Sequence, residues 1–142
     1  DEYDRVYIDT PPSFNFYSKS ALIAADSVLI PFDCDSFARQ SLYSLLDNIS
    51  ELQEDHNPEL EVEGIIINQF SAQARLPGEL VAELEADGLP VFKSFLTSSV
   101  KMKESHRAHR PLIDLAPSHK LTGQFLDLHA ELEQAAARVS AA

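Results

Sequence analysis

The sequence predicts an α/β fold, a mainly parallel sheet with helices on both faces, and three observations carry that prediction. Short β-prone apolar runs alternate along the chain with stretches of helical periodicity. One run, Gly64-Ile65-Ile66-Ile67, is apolar without interruption, as in strands covered on both faces. Prolines and Asx-Gly or Asn-Pro pairs punctuate the alternation, leaving room for right-handed crossovers between parallel neighbours.

Arg5-Val6-Tyr7-Ile8-Asp9 reads as the first strand, ended by Thr10-Pro11-Pro12, because two consecutive prolines stop a ladder or a helix. Residues 18–25 read as a short helix, and residues 26–31 as a buried strand that Pro31 ends. Ser36 is positioned to cap a long helix in which Phe37, Leu42, Leu45, Leu46, Ile49 and Leu52 recur near helical spacing, with Asn57-Pro58 closing it. Residues 62–68 supply the next strand. A second amphipathic helix covers residues 77–86, Asp87-Gly88 stops it, and Leu89-Pro90-Val91-Phe92 begins another strand. Residues 100–109 hold one or two helical turns, Pro111-Leu112-Ile113 an extended link, and residues 121–139 a final helix with Leu121, Phe125, Leu128 and Leu132 along one side.

With 142 residues, 44% of them hydrophobic and 24% charged, the chain has the composition of one globular domain. No apolar run approaches the ~18 residues of a membrane span, so no membrane partner is expected. The lone Cys34 rules out an internal disulfide and a cysteine-based zinc framework, and points to a reducing, cytoplasmic setting. Flanked by Asp33 and Asp35, which oppose a thiolate, Cys34 reads as a packing residue rather than a nucleophile.

The net charge of -12 argues against nucleic acid until its distribution is considered. Residues 1–92 carry four Lys/Arg and eighteen Asp/Glu, whereas residues 93–120 carry six and two. Lys101, Lys103, Arg107, Arg110 and Lys120 lie in that second stretch, with His106, His109 and His119 among them. Such a strip is either a solvated face balancing an acidic body or a salt-sensitive contact to DNA or an acidic partner. His106 and His109 are spaced to share a metal but have no third ligand at a useful distance in sequence, and read as surface.

Ligands of parallel α/β folds bind at the carboxyl ends of strands. Here these ends are Asp9-Thr10-Pro11-Pro12, residues 31–36, Asn68-Gln69 and residues 97–99. An Asp in the position of Asp9 suits Mg²⁺ or a water activated for attack on phosphate, and equally suits capping of the next turn.

The block Tyr3-Asp4-Arg5-Val6-Tyr7-Ile8-Asp9-Thr10-Pro11-Pro12-Ser13, followed by Ala21-Leu22-Ile23-Ala24-Ala25-Asp26-Ser27-Val28-Leu29-Ile30-Pro31, resembles the ParA family of partition ATPases, also termed ParA/Soj. Similarity continues through Asn57-Pro58 to Gly64-Ile65, through Ser99-Val100-Lys101, and through Arg110-Pro111-Leu112-Ile113 to Lys120, about residues 3–133 in all. The resemblance implies a P-loop NTPase-like fold and a deviant Walker-type ATPase. Such a protein takes ATP and Mg, forms a homodimer around ATP, binds nonspecific DNA on the nucleoid, and is stimulated by a ParB-like partner while it segregates plasmid, chromosome or other cargo. By position, the resemblance makes Asp9 the catalytic acid that orders Mg or the attacking water, and Thr10 and Pro11 part of the γ-phosphate switch. Asn68 and Thr97 fall at base-contacting positions. Lys101 matches a DNA-binding position, and Lys103, Arg107 and Arg110 extend its charge.

One element of the family is absent: no G-x-x-x-x-G-K-[ST] occurs among Gly64, Gly78, Gly88 and Gly123. Residues 1–142, which open on Asp1 rather than Met, are therefore expected to be the carboxyl-terminal portion of a single ParA-like ATPase domain. They lack the P-loop strand and are inactive by themselves, and the first strand is left with an unpaired edge and an uncovered apolar face. Two alternatives are an ATP-dependent biosynthetic enzyme of the same superfamily, of the cobyrinic acid diamide synthase or dethiobiotin synthetase type, and an ATPase-dead binding module.

Overall fold

The computed structural model describes residues 3–34, 38–71 and 75–139. In chain order these form α1 (Phe16–Ala24), β1 (Ser27–Asp33), α2 (Ala38–Asp55), β2 (Glu61–Asn68), α3 (Arg75–Ala86), α4 (Val100–Ala108), α5 (Leu112–Leu115) and α6 (Lys120–Val139). The expected cap Ser36 and the apolar Phe37 lie outside the described residues.

β1 and β2 pair in parallel, from Ser27 opposite Glu61 to Asp33 opposite Asn68, with α2 as the crossover. A bulge between Val28 and Leu29 skips Glu63 in the pairing. It lets Val62 pack with the same cluster as Ile65 and Ile67, despite the odd spacing. Beyond α3 the chain runs beside β2 and touches it at two isolated parallel bridges, Ile65 with Val91 and Phe70 with Thr97. The strand expected from residue 89 is reduced to those contacts. Ile65 N donates to Pro90 O at 2.7 Å and Phe92 N to Ile65 O at 3.0 Å, but Pro90 has no N–H with which to lengthen the ladder.

Three further expectations are corrected. Pro31 does not end β1, which continues to Asp33; among the described residues no strand lies beyond β1, and a proline is tolerated on such an edge. Residues 5–9 join no ladder, and Val6 and Tyr7 are 79% and 68% exposed. A strand needs a hydrogen-bonding partner as well as β-prone residues, and none of the described residues offers one. The link at Pro111-Leu112-Ile113 is the short helix α5: Pro111 presets its φ at -54°, and its carbonyl accepts from Asp114 N and Leu115 N.

Alternation along β1 and β2 builds one core on each face of the sheet. Ile30, Phe32, Ile65 and Ile67 point into a cluster with Leu22 of α1, Leu42, Ile49 and Leu52 of α2, and Val81 and Leu84 of α3. Ile65 and Ile67 have no exposed surface, and burial of this kind stabilises by about 1.5–3 kcal/mol per side chain. On the opposite face, Leu29 and Ile66 meet Phe92, Leu96, Leu112, Leu121 and Leu128, so α5 and α6 cover that side. Gly64 is required at the centre of the second face: a methyl built there would lie 2.1 Å from Cε2 of Phe92.

The helix ends are set by local chemistry. α1 begins at Phe16, behind the cap Asn15 and earlier than the apolar pattern indicated. Asn15 Oδ1 accepts from Tyr17 N and Ser18 N, while Asn15 N donates to Ser18 Oγ, a reciprocal capping box. At the other end of α1, Asn57 Nδ2 donates to the carbonyls of Leu22, Ile23 and Ala25 at 3.0, 3.2 and 2.9 Å. α3 starts at Arg75, two residues before Pro77, because the first turn of a helix does not need that N–H. It stops at Gly88, whose φ of 76° suits glycine, with Leu89 N donating back to Leu84 O. α2 and α3 are further joined where Tyr43 donates its hydroxyl to Asp87, a bond that holds the phenol pKa above its usual value.

Gly64→Ala is expected to lower stability by about 1–3 kcal/mol through overpacking, whereas Gly78→Ala, with nothing within 4 Å of the new methyl, should raise it by about 0.5–1 kcal/mol. Urea unfolding of the two variants checks the contrast. Asn15→Ala should cost about 1 kcal/mol in the same assay by removing the cap.

Candidate functional site

The carboxyl ends of β1 and β2 lie side by side because the strands are parallel and in register there, Asp33 opposite Asn68. Asn68 Nδ2 donates to Asp33 Oδ1 at 2.8 Å, and Gln69 Nε2 donates to Asp33 Oδ2 at 2.8 Å. Both carboxylate oxygens thus accept from side-chain amides of the adjacent strand end. Gln69 has a left-handed backbone, φ 50°, uncommon for a residue with a Cβ. The turn is held on its far side, where Phe70 N donates to Leu96 O and the Phe70 ring packs on Phe95 with centroids 4.8 Å apart.

The bridge between Phe70 and Thr97 brings Thr97 to the same end of the sheet as Asn68. Thr97 N and Oγ1 both donate to Gln124 Oε1 of α6, at 3.1 and 2.9 Å. The loop after Leu96 is therefore tied down by a side chain 27 positions away. Neither Asp33 nor Gln124 stood out in the sequence as a site residue. Asp33 falls within one of the strand-end loops, but its pairing is set by strand register, and Gln124 has no local signal.

Asp9, Thr10 and Pro11 are exposed and lie in no helix or strand. The Phe70–Thr97 bridge brings Asn68 and Thr97 to one end of the sheet, and no hydrogen bond or ion pair among the described residues joins Asp9 to either. The loop after Pro11 is nonetheless anchored: Ser13 N donates to Pro11 O at 2.7 Å, and Ser18 Oγ to Ser13 O at 2.8 Å. Asn15 Nδ2 donates to Ser13 Oγ at 2.9 Å, so the cap of α1 and the loop are one network. Upstream, Arg5 reaches Glu133 of α6 at 2.7 Å. That pairing and a hydrogen bond to Tyr7, the larger influence, raise the guanidinium pKa.

Lys101, Lys103 and Arg107 of the basic strip lie on α4, and Arg110 follows it. α4 is capped by Ser99, whose Oγ accepts from Lys101 N, and ends at His109 in a left-handed conformation, φ 49°. Lys101, Lys103, Arg107 and Arg110 are all exposed. Lys101 pairs with Glu104 at 2.6 Å, and Arg110 donates to Asp114 O at 3.3 Å. Lys103 and Arg107, one helical turn apart, have no acidic partner among the described residues. His106 and His109 are exposed, and no cluster of three or more His, Cys, Asp or Glu able to hold a metal occurs among the described residues. Cys34 is half-buried against the first core cluster. No helix among the described residues is long and apolar enough to cross a membrane.

Comparison with known proteins places this geometry in context. Residues 1–62 match the AAA_31 family, described as an AAA domain. A chromosome partitioning protein ParA of Myxococcus xanthus is 33% identical over 132 residues, 92% of this chain and 47% of that protein. The sporulation initiation inhibitor protein Soj of Bacillus subtilis is 30% identical over 131 residues, 92% of this chain and 52% of its own length. The chain thus spans about half the length of the curated relatives it matches. Among solved structures, cobyrinic acid a,c-diamide synthase from Mycobacterium smegmatis with bound ADP and magnesium superposes with a TM-score of 0.58 at 20% identity, covering 72% of this chain and 47% of that one. At that identity the likeness is one of fold, an α/β arrangement with a parallel sheet. Over nine-tenths of its residues the chain is similar to both ParA of Myxococcus xanthus and Soj of Bacillus subtilis.

Proposed function

We propose that this chain is the carboxyl-terminal portion of a ParA-like ATPase domain. Its full-length protein hydrolyses ATP with Mg²⁺, dimerises around the nucleotide, and retains nonspecific DNA through α4. A ParB-like protein stimulates turnover as cargo is positioned on the nucleoid, in the cytoplasm. The observation that carries this reading is an exposed basic helix on a chain of net charge -12 whose relatives are partition proteins. A positive face on an otherwise acidic molecule selects a polyanion by local rather than net charge. The fold shared with the cobyrinic acid synthase carries no argument for a biosynthetic reaction, because the fold is common to both activities.

The residues present fit two parts of a Mg-nucleotide. Mg²⁺ is usually held by one or two carboxylates together with substrate phosphates, and the single exposed carboxylate of Asp9 beside the Thr10 hydroxyl is such a donor set. Asn68 and Thr97, at one end of the sheet, suit the base. Mg²⁺ when bound supplies charge neutralisation at the phosphates. The Asp9 carboxylate is an acceptor for a water's hydrogen bond, Thr10 and Pro11 form a loop stiffened by proline, and the Ser13–Asn15 network fixes where that loop ends.

Replacing Lys101, Lys103, Arg107 and Arg110 with Glu in the full-length protein is expected to abolish retention on nonspecific duplex DNA while ATP affinity is unchanged. Retention of the unsubstituted protein should fall with salt at a slope of about 0.9 log units per phosphate contact. Filter binding across a salt series measures both, and undiminished retention by the variant removes α4 from the interface. Asp9→Ala is expected to reduce ATP turnover at least about 100-fold, as for loss of a group acting in the transition state. Nucleotide binding should persist, and phosphate release set against equilibrium ATP binding separates the two effects.

A further inference from the structure

The reading above uses Asn68 and leaves Asp33 without a part. Asp33 ends β1 directly opposite Asn68 and accepts Asn68 Nδ2 at 2.8 Å on Oδ1 and Gln69 Nε2 at 2.8 Å on Oδ2. An ionised carboxylate only accepts hydrogen bonds, so this partner decides which end of the Asn68 amide faces it. Turned over, the amide would set its carbonyl oxygen against a carboxylate oxygen, and repulsion excludes that arrangement. Asn68 Oδ1 is therefore directed away from Asp33, and no hydrogen bond reaches it from any described residue. One of the two Nδ2 protons is committed to Asp33 and the second remains. Gln69, bonded to the other oxygen and followed by the anchored Phe70, keeps the carboxylate from turning.

We infer that Asp33 is a positioning residue for base selection: by fixing the orientation of the Asn68 amide it presents an acceptor and a donor together, the complement of the adenine edge. Adenine offers an exocyclic amine that donates and a ring nitrogen that accepts, whereas guanine offers a carbonyl in place of the amine. An amide free to rotate serves either base; an amide oriented by a carboxylate rejects guanine, because two acceptors then meet. The inference rests on the nucleotide reading of Asn68 and adds to it the origin of the preference.

The test is equilibrium binding of ATP and GTP to the full-length protein, with thermal unfolding of each variant measured alongside. Asp33→Ala is expected to reduce the ratio of ATP to GTP affinity by about ten-fold, in the range of one bidentate base contact. Asn68→Ala should reduce it to the same level, and the double substitution should reduce it no further. Asp33→Asn, which keeps one acceptor while the exposed Gln69 amide is free to turn, should retain most of the preference and also serves if Asp33→Ala does not fold. A ratio unchanged in Asp33→Ala but lost in Asn68→Ala overturns the inference and leaves the base contact standing. A ratio unchanged in Asn68→Ala, or no ATP binding by the unsubstituted protein, overturns the nucleotide reading of this strand end and the inference with it.

Discussion

The close approach of Phe92 to Gly64 is the constraint on which the two-faced architecture depends. Phe92 belongs to the segment that touches β2 at Ile65 and to the cluster under α5 and α6, so its ring joins the sheet to its second helical layer. Any Cβ at position 64 would occupy the space of that ring. Interiors at crystal-like density have no slack to absorb the overlap. Displacing the ring displaces the backbone at residues 91–97, and with it Thr97 and the strand-end turn that Phe70 makes with Leu96. Packing in the middle of the sheet thus sets geometry at its carboxyl end.

The two ends of the candidate site are built to different standards. Asn68, Gln69 and Thr97 sit on a strand and its flanking segment, each with a named hydrogen-bond partner. Residues 5–12 are exposed and belong to no helix or strand, fastened at Arg5 by Glu133 and at Ser13 by the cap of α1. A backbone without ladder partners has its polar groups satisfied by water. The strand end is thus preorganised by side-chain hydrogen bonds, whereas residues 5–12 have few contacts to hold them.

Legibility in the sequence followed the range of the interaction responsible. α2, β2 and α6 were readable because hydrophobic periodicity is local, and the buried positions Leu42, Ile49, Leu121 and Leu128 are the ones the spacing picked out. Phe125 shares that spacing and is 39% exposed, since periodicity names a stripe and only packing decides which part of it is covered. Residues 5–9 have β propensity and no partner, Pro31 has a strand-breaking side chain and an edge that does not need its N–H, and Pro111 starts a helix where an extended link was expected. Each of those outcomes is a matter of neighbours. The Asp33–Asn68 pair is the sharpest case, since 35 positions of sequence and one strand register separate the partners.

Asn57 draws a further consequence from the way α1 ends. One amide serves three carbonyls of the α1 terminus from the turn between α2 and β2, and Glu61 N donates to Asp26 O close by. α1 is therefore hinged at its far end to the root of β2, while its near end is capped by the network that holds Ser13. Both ends of α1 are thus fixed by side-chain amides, Asn15 at one and Asn57 at the other, so the helix carries no free end to either strand.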